Sequence, residues 1–159
     1  MSGISIAVDV SNFDHIFKRL KPLLDLDAHD LMSTIGAIGE SQTRRRISDE
    51  KTAPDGTPWK ENSAGTSILM QTGQHLLGSI AWSASASEAE WGAGWEYAHV
   101  HQDGMTIVPK NGKTLVFSIG GKVVHAQKVV MPARPFVGIS DDNASEILDI
   151  VTDYLGIGP

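Results

Sequence analysis

The chain has 159 residues, of which 41% are hydrophobic and 20% are charged, and its formal net charge is −6. This length predicts one domain, residues 1–159, with a sizeable core, and the composition is that of a globular protein. An acidic chain lacks the basic face that a general nucleic-acid binder needs to neutralise phosphates, so we expect no direct nucleic-acid binding.

The sequence also limits the cellular compartments that we expect for the protein. It contains no cysteine, which excludes disulfides and thiolate zinc sites and suits a reducing cytoplasm. The N-terminus lacks the pattern of a signal peptide, and no apolar run approaches the roughly 18 residues of a membrane span. We therefore expect a protein made in the cytoplasm without a membrane partner.

The N-terminal third predicts a strand and two helices. Apolar and polar residues alternate over 4–10, which is typical of a strand with one buried face. Apolar residues recur at helical spacing over 11–22 and again over 27–48, where Asp27 or Asp30 suits the first turn. Gly36 and Gly39 weaken the longer helix, and we expect them to mark close contact with another backbone.

The rest of the chain predicts mainly strands before a last helix. A turn-rich loop over 51–65 precedes a short helix at 74–77 and a pair of strands at 80–84 and 88–92. Residues 105–130 resemble a β-meander, with Asn111-Gly112 and Gly120-Gly121 as hairpin turns. An extended segment follows, and the final helix begins at Ser140 and ends at Gly156.

This order of elements predicts an α+β fold. We expect a mostly antiparallel sheet with the long helix and the C-terminal helix packed on it.

The stretch EYAHVHQDG, residues 96–104, raises the question of a metal site. On a strand, His99, His101 and Asp103 would share one face and could ligate zinc. Zinc sites usually draw ligands from several segments, however, and no spacing brings His75 or His125 near. The sequence favours ordinary polar residues at a strand end, with no metal and no cofactor.

Signals for catalysis are equally weak. The chain lacks a Gly-x-Ser-x-Gly motif, a cysteine nucleophile and a glycine-rich phosphate loop. Helix capping explains the pair Asp141 and Asp142 better than acid–base chemistry does. We predict no catalytic residue and no enzyme activity.

Two further features favour packing or partner contact. The run Arg44, Arg45 and Arg46 is either a solvated helix end, favoured by the helix dipole, or a surface for an acidic partner. Tryptophans are more often anchors of a core or an interface than parts of a ligand-binding site, and the same is expected of the four in this chain. They are Trp59, Trp82, Trp91 and Trp95.

Several stretches in this order resemble one known family. They are RRRISDEKTAPDGTPW (44–59), ILMQTGQHLLGSI (68–80), YAHVHQDG (97–104), MPARPFVGIS (131–140) and a closing helix. Together they resemble the phage virion morphogenesis family of Mu-like phages, and more distantly the tail-completion and head–tail joining proteins of other tailed phages. One departure is a short segment between Trp59 and Thr72, which lacks an expected lysine-bearing stretch.

The resemblance implies a structural role without catalysis, and no metal at His101 and Gln102. It implies a virion protein of the neck or tail end that forms a ring, expected to be a hexamer, and binds neighbouring neck and tail proteins. Closed rings of this kind use two different faces of each subunit. The candidate interface lies at the arginine-rich helix end, the loop 54–59 and the hairpin 104–121. Its candidate residues are Arg44, Arg45, Arg46, Asp55, Trp59, His101, Gln102, Arg134 and Phe136.

Physical chemistry suggests roles for some of these residues. Prolines stiffen the PARPF segment, so Arg134 is expected to be held outward, able to contact a carboxylate, while Phe136 anchors the segment to the core. Tyr97 and Ala98 are expected to pack where the sheet meets the long helix. Replacing Arg134 with alanine should then spare the monomer and weaken assembly, whereas an unfolded monomer would make Arg134 an internal brace.

Two alternatives stay open at the level of sequence. A metal-dependent hydrolase would use His99, His101 and Asp103, and would contain zinc or lose activity on chelation. A small binding module outside any virion would be a stable monomer or dimer without affinity for phage particles.

Overall fold

The computed structural model describes residues 3–9, 27–70 and 73–157. The helix predicted over 11–22 lies outside these residues, as does the last residue of the first predicted strand, Val10. The elements are β1 (Ile4–Asp9), α1 (Ala28–Arg45) with a π-helical turn (Arg46–Glu50), α2 (Gly73–Gly78), β2 (Ile80–Ala84), β3 (Glu88–Ala93), α3 (Ala98–Asp103), β4 (Met105–Ile107), β5 (Leu115–Ile119), β6 (Lys122–Ala126), β7 (Val129–Met131) and α4 (Asp141–Leu155).

The predicted α+β class is confirmed. β3 lies between β1 and β2 in an antiparallel sheet, and both the long helix and the C-terminal helix are present. The β2–β3 pair lies where the sequence predicted it. None of the helices in the described ranges is both long and apolar enough to cross a membrane.

The long helix begins where its sequence predicts. The Asp27 carboxylate accepts hydrogen bonds from the backbone N–H groups of His29 and Asp30, at 3.0 and 3.3 Å. Such a side chain satisfies N–H groups that the first helical turn leaves without partners. The helix continues through the π-helical turn to Lys51, which ends it in a left-handed conformation at φ 57°.

Two tryptophans fix how α1 lies on the sheet. Ile6, Trp91 and Trp82 occupy matching positions on the three strands, and therefore one face of the sheet. Gly39 of α1 lies against the ring of Trp91, and Gly36 lies against that of Trp82. The predicted close contact at these glycines exists, but the partner is an indole ring in each case rather than a backbone.

The core consists of two neighbouring clusters. One joins α1, the sheet and α4, because Leu31, Ile35 and Trp91 are buried together and Ile147 and Val151 pack on them. The other joins the π-helical turn, α2, β2 and the segment after β7, through Ile47, Leu76, Ile80, Phe136 and Val137 among others. The C-terminal helix thus packs beside α1, at the cluster around Trp91.

The predicted meander over 105–130 is wrong in its pairing. β4 pairs with β7, and β5 pairs with β6 through the Gly120-Gly121 turn, which was predicted correctly. Asn111-Gly112 therefore does not join two paired strands. Residues 105–131, called the arm below, form a long ribbon whose two paired parts are separate two-stranded sheets.

We predict that Gly39→Ala destabilises the protein more than Gly36→Ala. A methyl group at Gly39 would overlap the buried Trp91 ring. Overpacking costs about 1–3 kcal/mol, against a helix-propensity gain of up to about 1 kcal/mol. At Gly36 the new carbon would lie 2.8 Å from Cε3 of Trp82, a residue that is 39% exposed and can shift outward. Urea denaturation followed by tryptophan fluorescence measures both, and equal losses would contradict this account.

Candidate assembly surfaces

The three successive arginines at the end of α1 differ in burial and in hydrogen-bond partners. Arg46 is only 1% exposed. Its Nη1 donates to the carbonyl oxygens of Phe136 and Gly138, at 3.0 and 2.9 Å, and its Nη2 donates to Oδ1 of Asn143. The guanidinium therefore links the long helix to the segment before α4 and to the first turn of α4 itself.

The contact with Asn143 extends to the cap of α4. The Ser140 hydroxyl accepts from the backbone N–H of Asn143 at 3.1 Å, and Asn143 Oδ1 accepts from the backbone N–H of Ser140 at 3.3 Å. This reciprocal arrangement is a capping box. Sequence reasoning named Ser140 as the cap but missed Asn143. The Ser-x-x-polar spacing was the signal that could have found it.

Burial lowers the pKa of the Arg46 guanidinium below its ordinary value. Arginine nonetheless stays protonated in proteins, so the site must supply oxygen acceptors in place of water. Two carbonyls and one amide oxygen do so, and Glu50 lies 3.9 Å from Nε. The hypothesis of a solvated helix end is therefore wrong for Arg46.

The other two arginines are more accessible. Arg44 donates to the carbonyl oxygens of Leu77 and Ile80, at 2.7 and 2.8 Å, and ties α1 to the end of α2 and the start of β2. Arg45 is exposed and pairs with Glu50 and Glu146, at 2.9 and 3.4 Å. Of the three, Arg45 is the one whose guanidinium stands open to a partner, and the interface role predicted for the run remains a prediction.

The extended segment 132–138 is held by the side chains of Gln102 and Trp59 in addition to Arg46. Gln102 Oε1 accepts from the backbone N–H groups of Phe136 and Val137, at 3.0 and 3.1 Å, and its Nε2 donates to the Val137 carbonyl at 3.0 Å. The indole N–H of Trp59 donates to the carbonyl of Pro135 at 3.0 Å. Phe136 itself is fully buried, as predicted.

Arg134 does not point outward as the sequence suggested. It is 5% exposed, and its Nε and Nη2 donate to the carbonyl oxygens of Lys60 and Glu61, at 2.9 and 3.2 Å. Its backbone N–H donates to the carbonyl of His101 at 2.7 Å. The prolines do stiffen the segment, but the side chain turns inward, which is the geometry of an internal brace rather than of a carboxylate contact.

Asp55 belongs to the tight loop before Trp59. Its carboxylate accepts from the backbone N–H of Thr57 at 2.9 Å, which lowers the pKa of the Asp55 carboxyl. Gly56 adopts φ 82° beside it, a conformation open to glycine at little cost. Asp55 is exposed and shapes the turn.

The strand predicted for EYAHVHQDG is wrong, because residues 98–103 form helix α3. Residues two apart on a helix project roughly 200° apart, so His99 and His101 do not share a face. Burial, and the charge of Arg134, lower the pKa of His101. In the described ranges, no group of three His, Cys, Asp or Glu side chains could hold a metal ion.

His101 instead joins an aromatic stack. Trp95 lies between the rings of His75 and His101, with centroid distances of 6.3 and 5.8 Å, and Tyr97 meets its edge at 5.5 Å. Ala98 is fully buried, whereas Tyr97 is 52% exposed. The predicted packing of this pair holds for Ala98 and is wrong for Tyr97.

The arm is the least buried apolar part of the described chain. Its β5–β6 ribbon has one apolar, half-buried face that includes Leu115, Phe117 and Val124. This face borders an open cleft of about 520 Å³, which Lys60, Glu61 and Arg134 also line. Neither core cluster includes a residue of the arm. The arm thus carries apolar surface that the core does not use.

We predict that Arg46→Ala unfolds the protein far more readily than Arg45→Ala. Removing Arg46 leaves three oxygens without their donor in a buried site, and hydrogen bonds to charged groups contribute about 1.5–3 kcal/mol each. We expect a loss of roughly 3 kcal/mol or more. Arg45→Ala removes the same charge from an exposed ion pair and should cost roughly 0.5 kcal/mol.

Urea midpoints of the two arginine variants test this prediction. Arg46→Lys should fall between them, because lysine keeps the charge but loses the planar fork that reaches several oxygens. Similar midpoints for Arg45→Ala and Arg46→Ala would refute a special role for the buried guanidinium.

Comparison with known proteins agrees with the resemblance read from the sequence. The model of the phage virion morphogenesis family matches residues 8–156. The Mu-like prophage FluMu G protein 2 of Haemophilus influenzae is 26% identical over 152 residues, which cover 94% of this chain and 95% of that protein. The FluMu G protein 1 of the same organism is 25% identical over 164 residues, covering 96% and 94%. No solved structure is a significant match. The chain belongs to the phage virion morphogenesis family.

Proposed function

We propose that this chain is a ring-forming subunit that completes the phage tail or joins head to tail. The ring contains six copies, matching the symmetry of the tail, and stands at the neck or the tail end of the virion. Residues 1–159 act as one structural domain in it. The coarser role, in phage virion morphogenesis, follows from the family match over residues 8–156.

The observation that carries the proposal is the arm. An isolated two-stranded ribbon is only marginally stable in water, and it gains stability when a further strand or another element covers it. Here the ribbon keeps an apolar face beside an open cleft, and exposes Val116 and Val123 on its other face. Such surface is typical of a subunit that is covered on assembly.

The motif residues support the same proposal in a different way. Arg46, Trp59 and Gln102 donate hydrogen bonds to backbone carbonyls of the segment 132–138. Arg134 and Phe136 lie in that segment and contact the loop at Lys60 and the core. They build the frame from which the arm projects. In this proposal their effect on assembly is indirect, while Arg45 and Asp55 stand at the surface.

The two alternatives lack comparable support. The hydrolase hypothesis needs His99, His101 and Asp103 to converge, and on the helix His101 projects away from the side shared by His99 and Asp103. The charge of Arg134, which already lowers the pKa of His101, would also repel a metal ion at that histidine. A binding module that acts outside the virion would not explain why the chain matches a virion morphogenesis family.

A deletion experiment tests the proposed function. In a phage that encodes this chain, removing the gene should leave separate heads and incomplete tails in electron micrographs of the lysate. The purified protein, added to that lysate, should restore plaque-forming particles. Joined, infectious virions without the protein would overturn the proposal.

Two controls separate assembly from catalysis. The variants His99→Gln and Asp103→Asn should restore infectivity as the unaltered chain does, whereas a hydrolase would lose activity in both. Light scattering of the purified protein should give a mass near six times 17.1 kDa if the ring closes without a template.

A further inference from the structure

Charge is divided sharply between two parts of this chain. The arm, residues 105–131, contains four lysines and no Asp or Glu. Helix α4 contains five acidic residues and no Lys or Arg. The whole chain has 13 basic and 19 acidic residues, so its acidic balance conceals a basic element and a strongly acidic one.

The basic element combines its charge with apolar surface. On one face of the β5–β6 ribbon, Val116 and Val123 are 61% and 67% exposed, with Ser118 beside them. The four lysines are exposed and lie at the ends of the ribbon and in the loop before it. They are Lys110, Lys113, Lys122 and Lys128. Lys122 is paired with Ile119, so its side chain leaves the ribbon on the face opposite Val116 and Val123, at the turn end.

The acidic element has the matching layout. Midway along α4, Leu148 is 56% exposed, with Ser145 one turn before it. Exposed carboxylates lie to one side of this position around the helix. They are Asp141, Asp142, Asp149 and Asp153. Exposed apolar side chains next to charged ones are common at protein interfaces.

The two elements do not satisfy each other within one subunit. The ion pairs among the described residues join Arg44 to Glu40, Arg45 to Glu50 and Glu146, and Arg46 to Glu50. In that part of the chain, none joins an arm lysine to an α4 aspartate. Asp153 lies in the last turn of α4, which contains no basic residue, so it adds negative charge to the negative end of the helix dipole.

We propose that the arm of one subunit docks on the outer face of α4 of a second copy of this chain. Val116 and Val123 cover Leu148, and the arm lysines pair with the aspartates beside it. This inference rests on the proposed ring, and it names the two faces that meet there. A contact between two different surfaces is heterologous, and it closes a ring when repeated around an axis.

The dimensions of the two elements agree. Lys122 begins β6, and Lys128 lies two residues beyond its end after a bend at Gln127, so the two are at most roughly 20 Å apart. Asp142 and Asp153 lie eleven residues apart on a helix, which spans roughly 17 Å. Lysine side chains are long and flexible enough to take up the difference, so both ends of the ribbon can meet carboxylates at once.

A disulfide test exploits the absence of native cysteine. Ser118→Cys places a thiol on the exposed face of the arm, and Ser145→Cys places one on the exposed face of α4. An equimolar mixture of the two single variants, mildly oxidised, should give a mixed dimer near twice 17.1 kDa on a non-reducing gel, identified by mass spectrometry of the linked peptides. Ser118→Cys mixed with Ser87→Cys, in the exposed β2–β3 turn, is the matched control and should give at least tenfold less of it.

Charge reversal tests the electrostatic part. Lys113→Glu/Lys122→Glu alone, or Asp142→Lys/Asp149→Lys alone, should lose the assembly that light scattering detects for the unaltered chain. A mixture of the two variants should recover it, because a glutamate arm then meets a lysine helix. Glu88→Lys/Glu90→Lys, on exposed positions of β3, has the same charge change as the helix variant and should assemble normally.

The outcomes separate this inference from the proposed function. Mixed disulfides together with recovery in the mixture support the arm–α4 contact. A ring that survives either charge reversal overturns the contact but leaves the ring. The absence of a mixed disulfide at high protein concentration also overturns the arm–α4 contact. The deletion phage then tests the proposed function independently. If the arm binds DNA or another virion protein and no mixed disulfide forms, the arm lysines contact that partner rather than α4, which overturns the inference.

Discussion

The buried guanidinium of Arg46 is the constraint on which most of this structure depends. A cation removed from water needs oxygen acceptors on several sides, and leaving one unpaired is costly. Phe136, Gly138 and Asn143 supply these acceptors, so the chain before α4 must pass close to the end of α1. The same contact positions the capping box that starts α4. One side chain thereby sets the relation between the two main helices.

A second constraint follows from the first. The segment 132–138 has no strand partner and no helical hydrogen bonds, yet it passes through the core. Its N–H and C=O groups need partners elsewhere. Gln102 and Trp59 supply them, while Arg134 braces the neighbouring loop. The need to pair these backbone groups explains why polar residues such as Gln102 and Arg134 occur in stretches whose sequence resembles a surface loop.

A consequence is that several residues of the stretches that resemble the family are internal, namely Arg46, Trp59, Arg134 and Phe136. They hold the frame, while the surfaces proposed to meet a neighbouring copy are the arm and the outer face of α4, where exposed apolar side chains lie near charges of one sign. Frame and contact surface are therefore separate in the sequence. A change in the arm can alter assembly without disturbing the buried network, because the arm shares no residue with either core cluster.

The sequence by itself determined the elements governed by local chemistry. Capping residues and apolar periodicity located α1, α4 and the β2–β3 pair, and the ordered motifs identified the family. Only the tertiary structure decided where the polar motif residues point. Whether Arg46 and Arg134 face water or carbonyl groups depends on residues about ninety and seventy positions away in the chain. Likewise β4 pairs with β7 rather than with its neighbour, because pairing depends on which strand the fold brings alongside. The six residues after Tyr97 fit a strand by alternation, yet they form a helix in which Ala98 and Val100 are both buried.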